Sequence, residues 1–541
     1  MKVGLIGINS QFVHTNLALY YLREELPPGC DGVLLEYTNN EPILAIYYDL
    51  IRRGLDAAAF SVYIWNKETS LRLISLLKAA CPDLVVIVGG PEPTYHPEAF
   101  AAADVILPGA LEMSWPVLMA RLAAGEPVGS VEISAAKPAA SWKFPYRESD
   151  LPRLKNRLVY YETSRGCPYR CAFCLSSVEE GTFFLPLERV FGELDFFLKH
   201  RVPVVKLVDR TFNAPPKRAK AILRYLTEHA VDGVTFHLEL KGELLDEETV
   251  ALLTSAPDHL FQVEIGVQSL NENVLAAVGR RSDWAKVKPF YRRLAAAENL
   301  HTHFDLIAGL PGEDLASFQA GFDEVMSICP DYLQVGFLKL LPGTRLAAER
   351  ERFGYAAEEF PPYEVVAGDA MTSADLADLK RLDHFMDEIY NKGRLRRTLA
   401  FALKSGVSPF ELFLALEAVG SENFERVLED RIPLTAGGWS SLLRLDALLA
   451  GGGETGAEEE KALNQWIRDE AFVAAHLPQY AGFPPREIYK RVRAAFLPVR
   501  LHFDGNGEIT AVSPGETKLL FDYREKGRRK RKTRPTLIVP E

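Results

Sequence analysis

Short apolar runs alternate with segments of helical period over the first 125 residues of the chain. The runs are rich in Val, Ile and Leu, as buried strands are, and the segments between them repeat apolar positions every three or four residues. The predicted strands lie near 2–7, 32–37, 56–63, 84–89 and 103–107, and the predicted helices near 14–26, 41–53, 67–80 and 111–124. This alternation predicts a Rossmann-like α/β domain over residues 1–133, with a parallel sheet that binds ligands at the carboxyl ends of its strands.

The same alternation returns after a proline-containing stretch at 134–157, which we interpret as a linker. Helical segments such as Leu187–Lys199 and Asp283–Ala297 separate most of the later apolar runs. The six predicted strands are Leu158–Thr163, Val204–Val208, Val234–Leu240, Phe261–Gly266, His303–Ile307 and Tyr332–Phe337. Six βα units over residues 158–345 predict a partial (β/α)6 barrel of the TIM type, with its chemistry at the carboxyl ends of the strands.

The pattern becomes mainly helical over the last third of the chain, residues 360–541. Ala374–Gly393 and Pro409–Val419 have helical period, and residues 499–523 predict a small β element that turns at Asp504–Gly507. We therefore predict a C-terminal helical domain with one β element and a basic tail.

The composition is that of a globular protein with several domains and argues against a membrane-spanning or disulfide-stabilised protein. A chain of 541 residues with 48% hydrophobic residues has enough apolar material for several domains, and no apolar run reaches the roughly 20 residues needed to span a bilayer. Six cysteines are too few for a disulfide framework, which favours a cytoplasmic location.

Charge is unevenly distributed along the chain. The formal net charge is -11, yet Arg524–Arg534 holds eight Lys or Arg residues against one Glu. The run Arg528–Lys532 within it is either a solvated tail, which is the commoner case, or an arm that contacts RNA.

Three cysteines, Cys167, Cys171 and Cys174, have Cys-x3-Cys-x2-Cys spacing just after a predicted barrel strand. Thiolates this close together favour a metal that offsets their repulsion. Zinc takes four ligands, and an iron-sulfur cluster also tends to have four cysteines, so three would leave one iron open to a substrate or cofactor. A zinc site and a group of buried structural thiols are the alternatives.

The cysteine spacing after the first barrel strand, with the aromatic Phe173 before the third cysteine, resembles the radical S-adenosylmethionine (SAM) superfamily. The resemblance implies a 4Fe-4S cluster on Cys167, Cys171 and Cys174, with SAM chelating the open iron. It also implies that an electron donor such as flavodoxin or ferredoxin reduces the cluster, which then cleaves SAM to a 5'-deoxyadenosyl radical.

Further motifs along the barrel are similar to the branch that includes the anaerobic coproporphyrinogen dehydrogenase. They are His237–Leu240, Glu264–Leu270 and Asp305–Glu313. The resemblance implies that Glu239 and Gln268 bind polar groups of SAM, Arg280 its carboxylate and Asp305 its ribose or neighbouring groups. Where many members have Gly-Gly-Glu, this chain has Val208–Asn213, so Asp209 is expected to accept the amino group of SAM or to contact substrate.

The N-terminal domain resembles the cobalamin-binding domain of cobalamin-dependent radical enzymes. His14, Ser61 and the pair Gly89-Gly90 follow the first, third and fourth predicted strands, as the corresponding residues do in those domains. The resemblance implies that the nucleotide tail of cobalamin passes Ser61 and the glycine pair, where small side chains leave room. The chain lacks the Asp-x-His-x-x-Gly form, so His14 is either a cobalt ligand or an ordinary residue at a helix start.

The whole layout resembles a bacterial family of cobalamin-binding radical SAM proteins that have a C-terminal domain of their own. It implies an enzyme that methylates an unactivated carbon of a substrate that the sequence does not specify. A radical rearrangement, cyclisation or oxidation with cobalamin as electron carrier is the alternative, and a non-catalytic cobalamin sensor is disfavoured because it has no use for an open iron. A methylthiotransferase needs a second cluster on three cysteines, whereas the N-terminal region has only Cys30 and Cys81.

Overall fold

The computed structural model describes most of the 541 residues. The described residues are 1–109, 114–126, 142–178, 181–449, 457–466, 468–477, 480–482, 484–489, 492–503, 509–522 and 536–538. The chain forms two compact units. The first combines Met1–Phe318 with Gly336–Leu376, and the second combines Gln319–Val335 with Ala377–Glu541.

The N-terminal part of the first unit contains a five-stranded sheet with the order β2-β1-β3-β4-β5, in which all neighbours are parallel. Its elements are β1 (Lys2–Asn9), α1 (Leu17–Glu24), β2 (Asp31–Thr38), α2 (Ile43–Arg52), β3 (Ala57–Ser61), α3 (Lys67–Ala80), β4 (Val85–Gly89), α4 (Pro91–Tyr95), β5 (Val105–Leu107) and α5 (Ser114–Ala123). The predicted α/β domain is therefore confirmed.

Apolar side chains fill this sheet on both faces, because helices cover it. Ile6, Phe60 and Val88 belong to one buried cluster with Leu73 and Leu77 of α3. Helix α1 begins at Leu17, three residues later than predicted, because Asn16 has extended backbone with φ -105° and ψ 92°. Residues 110–113, at the predicted start of α5, lie outside the described residues.

A second sheet of six strands has the order β13-β12-β11-β10-β9-β6, and the neighbours from β6 to β12 are parallel. The elements in this region are α6 (Leu151–Leu154), β6 (Val159–Tyr161), β7 (Ser164–Gly166), β8 (Thr182–Phe184), α7 (Leu187–Lys199), β9 (Val204–Leu207), α8 (Pro216–Glu228), β10 (Thr235–Leu240), α9 (Glu247–Thr254), β11 (Phe261–Gln268), α10 (Glu272–Ala277), α11 (Trp284–Ala296), β12 (His301–Ala308), α12 (Leu315–Met326) and β13 (Tyr332–Phe337). This sheet, with helices between its strands, confirms the predicted partial barrel. Strands β7 and β8 form a short hairpin that the sequence pattern did not predict.

The two faces of this sheet differ in chemistry because successive residues of a strand point to opposite sides. One face is apolar and buried, with residues such as Leu207, Leu238 and Val263. The other, which we call the polar face, consists of Tyr160, Lys206, His237, Glu239, Gln262, Glu264, His301, His303 and Asp305. The parallel register sets these side chains beside one another, so the polar face can act as one surface.

Residues beyond the last barrel strand pack back onto the first unit. They form α13 (Arg345–Ala348), β14 (Ala356–Ala357) and β15 (Val365–Ala367). The hydroxyl group of Tyr355 donates a hydrogen bond of 2.8 Å to the carbonyl oxygen of Gly309, just after β12. Residues 353–376 therefore belong structurally with the barrel, although the sequence pattern led us to begin the C-terminal domain at residue 360.

The second unit is mainly helical. Its elements are α14 (Ser373–Phe385), which begins in the first unit, α15 (Arg396–Leu403), α16 (Pro409–Val419), α17 (Phe424–Arg431), α18 (Gly438–Leu449), α19 (Ala457–Trp466), α20 (Glu470–His476), α21 (Pro485–Tyr489), β16 (Val492–Phe503), β17 (Ile509–Asp522) and β18 (Thr536–Ile538). Strands β16 and β17 pair antiparallel and form the predicted β element. The predicted turn at 504–507, the basic run 528–532 and residues 134–141 of the predicted linker lie outside the described residues, whereas the rest of that linker is described and contains α6. Within the described part of the chain, no helix has the length and apolarity to span a membrane.

Candidate functional site

The cysteine loop, residues 167–174, follows β7 and is fixed by backbone contacts. Gly166 has φ +84°, and a side chain there would overlap the carbonyl group of Gly181, so the loop begins at a position that requires glycine. The backbone nitrogen of Ala172 donates to Val278 (2.9 Å), and its carbonyl oxygen accepts from Leu346 (3.0 Å). The loop is therefore attached to the segment after α10 and to α13.

Polar groups surround two of the three thiols. The sulfur of Cys167 lies 3.5 Å from the hydroxyl oxygen of Thr211, and the sulfur of Cys171 lies 3.9 Å from Nη1 of Arg280. Burial raises the pKa of Cys171, and Arg280 acts in the opposite direction by favouring the thiolate. In the described part of the chain, no group of three or more His, Cys, Asp or Glu side chains is arranged to hold a metal ion. The three thiols are thus near one another in sequence, but their side chains are not arranged to bind a single metal ion.

Arg280 has an unsatisfied donor that fits an anionic ligand. Its Nη2 donates to the carbonyl oxygen of Gly266 at 2.8 Å, which fixes the guanidinium beside the end of β11. Its Nε is buried and makes no hydrogen bond with a described residue. Buried donors are normally paired, so the carboxylate of a bound ligand would complete this site. This geometry is compatible with the predicted contact between Arg280 and the carboxylate of SAM, which stays a prediction.

Gln268 has an unusual backbone conformation at the last position of β11. Its φ is +71°, which is uncommon for a residue with a side chain, and the register with β12 shifts at this point. Its side-chain amide lies over Gly266, where a Cβ atom would meet it. Strained backbone of this kind is concentrated at ligand-binding positions, so the conformation supports the predicted role of Gln268.

Asp209 is buried, and both its oxygens accept hydrogen bonds from the segment that leads to the cysteine loop. They accept from Thr163 through its nitrogen (2.9 Å) and hydroxyl (2.6 Å), and from the hydroxyl of Ser164 (2.5 Å). Burial raises the pKa of Asp209, and these three donors oppose that shift. The carboxylate therefore positions the start of the loop, and its predicted contact with SAM or substrate stays a prediction.

Lys206 is at the centre of the polar face. Its ammonium group lies 2.9 Å from Glu239 and 2.9 Å from Glu264, and Glu264 also lies 2.9 Å from Nε2 of His237. Burial acts to lower the pKa of Lys206, but the two carboxylates outweigh it and raise that pKa. For Glu264, burial acts to raise the pKa, but His237, Lys206 and His303 hold it well below its usual range. The ammonium group of Lys206 and the carboxylate of Glu264 are thus stabilised in their ionised forms.

His303 and Asp305 form a second pair on the polar face, with Nε2 and Oδ1 3.0 Å apart. Burial raises the pKa of Asp305 although His303 opposes it, while contact with Asp305 raises the pKa of His303 against the effect of burial. Two of the predicted SAM-binding residues, Glu239 and Asp305, are therefore paired with basic side chains of the polar face.

The loop after β1 joins the N-terminal sheet to the barrel. His14 pairs with Leu158 in a parallel bridge, and its Nδ1 is hydrogen-bonded to the phenolic oxygen of Tyr160 at 2.7 Å. Burial lowers the pKa of His14, and Lys206 and Arg157 lower it further, so the imidazole is neutral at pH 7. The loop of the N-terminal sheet therefore contacts the polar face directly.

The residues predicted to contact cobalamin lie at or just after the carboxyl ends of β1, β3 and β4. Ser61 is buried, and its hydroxyl group lies 3.4 Å from the side-chain oxygen of Asn16. The Nδ2 of Asn16 is buried without a hydrogen-bond partner among the described residues, so a donor that fits a polar ligand lies beside Ser61. Sequence reasoning missed Asn16, although a polar residue at the start of α1 beside His14 was a usable signal.

Gly90 and Gly89 end the fourth strand as predicted. Gly90 has φ +108°, and a Cβ atom there would lie 2.6 Å from the carbonyl oxygen of Val62. The position requires glycine for its own backbone packing, whether or not a ligand binds. Contacts of Gly89, Gly90, Ser61 and His14 with cobalamin stay predictions.

Lys206 and Tyr160 are among the residues of the polar face that were also missed. Lys206 is the one charged residue in the apolar strand Val204–Leu207, which is a signal that the sequence offered. Tyr160 offered none, because a tyrosine in a strand is most often a packing residue.

Three family models match the chain. The B12 binding domain matches residues 3–112, the radical SAM superfamily matches residues 161–324, and a protein family of unknown function, DUF4080, matches residues 351–423. The first two matches confirm the predicted cofactors at the level of domains: cobalamin for the N-terminal sheet, and a cluster with SAM for the barrel.

Methyltransferases are among the relatives, and two of them are as follows. The 2-(S-pantetheinyl)-carbapenam-3-carboxylate methyltransferase of Streptantibioticus cattleyicolor is 25% identical over 413 residues, which cover 66% of this chain and 58% of that protein. The cobalamin-dependent radical SAM methyltransferase TokK of Streptomyces tokunonensis is 25% identical over 406 residues, which cover 62% and 56%. The chain thus spans less than two thirds of the length of either relative.

Solved structures have the same fold. The radical SAM methyltransferase TsrM from Kitasatospora setae, with cobalamin and a [4Fe-4S] cluster bound, superposes with a TM-score of 0.56 at 16% identity and covers 67% of this chain and 78% of its own. The cobalamin-dependent radical enzyme OxsB superposes with a TM-score of 0.55 at 15% identity and covers 87% and 75%. From these domain matches, the chain is similar to radical SAM proteins that carry an N-terminal B12-binding domain.

Proposed function

We propose that this protein is a cobalamin-dependent radical SAM methyltransferase that methylates an unactivated carbon of a substrate bound over the polar face. One observation carries the proposal: the hydrogen bond between His14 and Tyr160. His14 is on the loop after β1 of the B12-binding domain, and Tyr160 is on the barrel strand β6. Strand β6 pairs with β9, which contains Lys206. A corrinoid at that loop and a cluster at the cysteine loop would both face the polar face.

Cys167, Cys171 and Cys174 would hold the cluster, and Arg280 and Gln268 would orient SAM beside it. When bound, the cluster with SAM supplies a carbon-centred radical, and cobalamin supplies the methyl group. Asp209 fixes the start of the cysteine loop through Thr163 and Ser164. These side chains would therefore position the reacting groups without taking part in the bond changes.

The polar face would hold the substrate. A layer of charges costs stability compared with the apolar layers that fill most barrels, so its presence calls for a functional reason. Lys206, Glu239 and Glu264 can hydrogen-bond polar substrate groups while remaining paired with one another. Such contacts would orient one carbon–hydrogen bond toward the radical and exclude others.

The proposal includes a cytoplasmic location and a one-electron donor of the flavodoxin or ferredoxin type, because the cluster needs reduced thiols and an external electron. A methylthiotransferase is disfavoured because Cys30 and Cys81 cannot supply three ligands to a second cluster.

The test uses anaerobically reconstituted protein, methyl-deuterated SAM and a small-molecule extract from a strain that lacks the gene. A compound that gains one deuterated methyl group, together with S-adenosylhomocysteine and 5'-deoxyadenosine, is expected. Replacing Cys167, Cys171 and Cys174 by Ala should abolish all three products, whereas Cys329→Ala, outside the loop, should not. Formation of 5'-deoxyadenosine with a modified but unlabelled compound would instead support the non-methylating alternative.

A further inference from the structure

An ion pair connects the starts of two helices in the B12-binding domain. Nζ of Lys67, the first residue of α3, lies 3.0 Å from Oε2 of Glu92 on α4, and both side chains are largely buried. The backbone nitrogen of Glu92 donates to the carbonyl oxygen of Val62 (3.4 Å), the residue after Ser61. The same carbonyl oxygen occupies the side-chain position of Gly90. The pair therefore bridges the helices that follow β3 and β4, close to residues predicted to contact cobalamin.

Tyr363 contacts this ion pair from a segment that follows the barrel. Its hydroxyl group donates a hydrogen bond of 2.8 Å to Oε2 of Glu92 and accepts one of 2.8 Å from Nζ of Lys67. Its ring stacks on the imidazole of His96, directly after α4, with 5.8 Å between the ring centroids. Tyr363 is 4% exposed and has φ +60°, which is uncommon for a residue with a side chain. The side chain of Tyr363 is thus inserted against the B12-binding domain.

The backbone around Tyr363 is attached to the barrel. Its carbonyl oxygen accepts a hydrogen bond of 2.9 Å from the backbone nitrogen of Leu340, and Glu364 forms an antiparallel bridge with Lys339. Both partners lie just after β13, the last barrel strand. We call residues 353–376 the strap. The strap therefore contacts the barrel through its backbone and the B12-binding domain through the side chain of Tyr363.

The ion pair and the hydroxyl group form one polar network. Burying two charges costs free energy that their attraction only partly recovers, so apolar side chains would join the two helices at least as well. Hydrogen bonds are directional, however, and a buried polar network whose members are paired rigidifies the elements that it joins. The network of Lys67, Glu92 and Tyr363 thus fixes the spacing between α3, α4 and the strap.

We propose that Tyr363 is a positioning residue that holds α3 and α4 against the strap and thereby retains cobalamin in the B12-binding domain. The inference rests on the proposed function, and it gives the start of the region matched by DUF4080 a role in cofactor binding. Without the hydroxyl group, Lys67 and Glu92 stay paired with each other, but their hydrogen bonds to the strap are lost. The helix starts near Ser61 and Gly90 would then open more often, and bound cobalamin would leave faster.

The experiment compares Tyr363→Phe with Tyr355→Phe. Both changes remove one buried hydroxyl group from the strap, but the hydroxyl group of Tyr355 donates to Gly309 in the barrel. Reconstituted protein is loaded with hydroxocobalamin, and the cobalamin still bound after successive desalting steps is measured by absorbance, with iron content in parallel. Hydrogen exchange of the apoprotein, read by mass spectrometry, reports local opening at residues 62–69 and 90–96.

Tyr363→Phe should release cobalamin about fivefold to tenfold faster than the wild type, and Tyr355→Phe should stay within about twofold, because only the first change breaks the network. Hydrogen exchange at residues 62–69 and 90–96 should be several-fold faster in Tyr363→Phe and unchanged in Tyr355→Phe. Iron content should be equal in all three proteins, because neither hydroxyl group bonds to the cysteine loop.

Equal release from Tyr363→Phe and the wild type would overturn the proposal, even with faster hydrogen exchange, because Tyr363 would then support the fold without affecting the cofactor. Equally faster release from both variants would also overturn it, since a general loss of stability in the strap would explain the effect. A wild type that retains no cobalamin at full iron content would instead reject the proposed function, so the two failures are distinguishable.

Discussion

Nδ1 of His14 lies 2.7 Å from the phenolic oxygen of Tyr160, although the two residues are 146 positions apart. The contact joins the B12-binding domain to the first strand of the barrel. It uses Nδ1 of the imidazole and does not involve Nε2. A histidine after the first strand and a tyrosine in a barrel strand do not by themselves predict that the two side chains form a hydrogen bond.

Tyr160→Phe removes the hydroxyl group of this pair and keeps the ring. We expect the free energy of unfolding to fall by about 1 kcal/mol, the usual net value of one hydrogen bond. Denaturant unfolding of the apoprotein measures it, with iron content after reconstitution as the control that should not change. A variant as stable as the wild type would show that the contact does not hold the loop in place.

Arg280→Gln should weaken SAM binding by about tenfold to a hundredfold, because a hydrogen bond between charged groups contributes roughly 1.5–3 kcal/mol. Equilibrium binding of SAM to reconstituted protein checks this. The matched control is Arg281→Gln, since Arg281 is exposed beside it. Unchanged affinity in Arg280→Gln at normal iron content would remove Arg280 from the SAM site.

Asp209→Ala should release the start of the cysteine loop, because three donors of Thr163 and Ser164 lose their acceptor. Leaving such buried donors unpaired costs roughly 1–3 kcal/mol each, so iron retained after desalting should fall. Iron analysis and SAM binding separate the two roles of Asp209. Full iron content with weakened SAM binding would identify it as a SAM contact instead.

Glu313, on the loop after β12, gives a pH-dependent prediction. It is buried, its Oε1 accepts from Ser269 at 2.5 Å, and its Oε2 makes no hydrogen bond with a described residue. Burial raises its pKa from 4.5 to about 7, the hydrogen bond from Ser269 opposes that shift, and Asp314 adds to it. The folded protein therefore keeps a proton that the unfolded chain loses.

A carboxyl group whose folded pKa is raised reduces stability as pH rises from its unfolded to its folded pKa. For Glu313 the loss falls between about pH 4.5 and pH 7 and amounts to about 3 kcal/mol. Glu313→Gln should lack this component, so the difference in unfolding free energy between variant and wild type should grow over that range and then level off. A constant difference would contradict the raised pKa.

The sequence predicted the two sheets and their parallel topology, because buried strands and intervening helices have strong periodic signals. It did not predict that the loop at His14 pairs with Leu158, since that contact depends on how two domains fold together. The hairpin of β7 and β8 was missed because strands of three residues have no period.

The sequence indicated which polar residues belong to the site, but it did not indicate which side chains they contact. Asp209 and Glu239 are polar strand-end residues that the sequence pointed to, yet their acceptor atoms contact Thr163, Ser164 and Lys206. Gly90 was predicted to leave space for a ligand, whereas the carbonyl group of Val62 occupies the side-chain position. Such assignments require the tertiary structure.

The central claim is that the cluster and cobalamin bind close to each other, and that both face a substrate bound over the polar face. Electron paramagnetic resonance of protein that contains both cob(II)alamin and the reduced cluster tests it most directly, with singly loaded samples as references. We predict that each centre broadens the signal of the other or shortens its relaxation time. A spectrum equal to the sum of the two references, at full occupancy of both centres, would contradict the account.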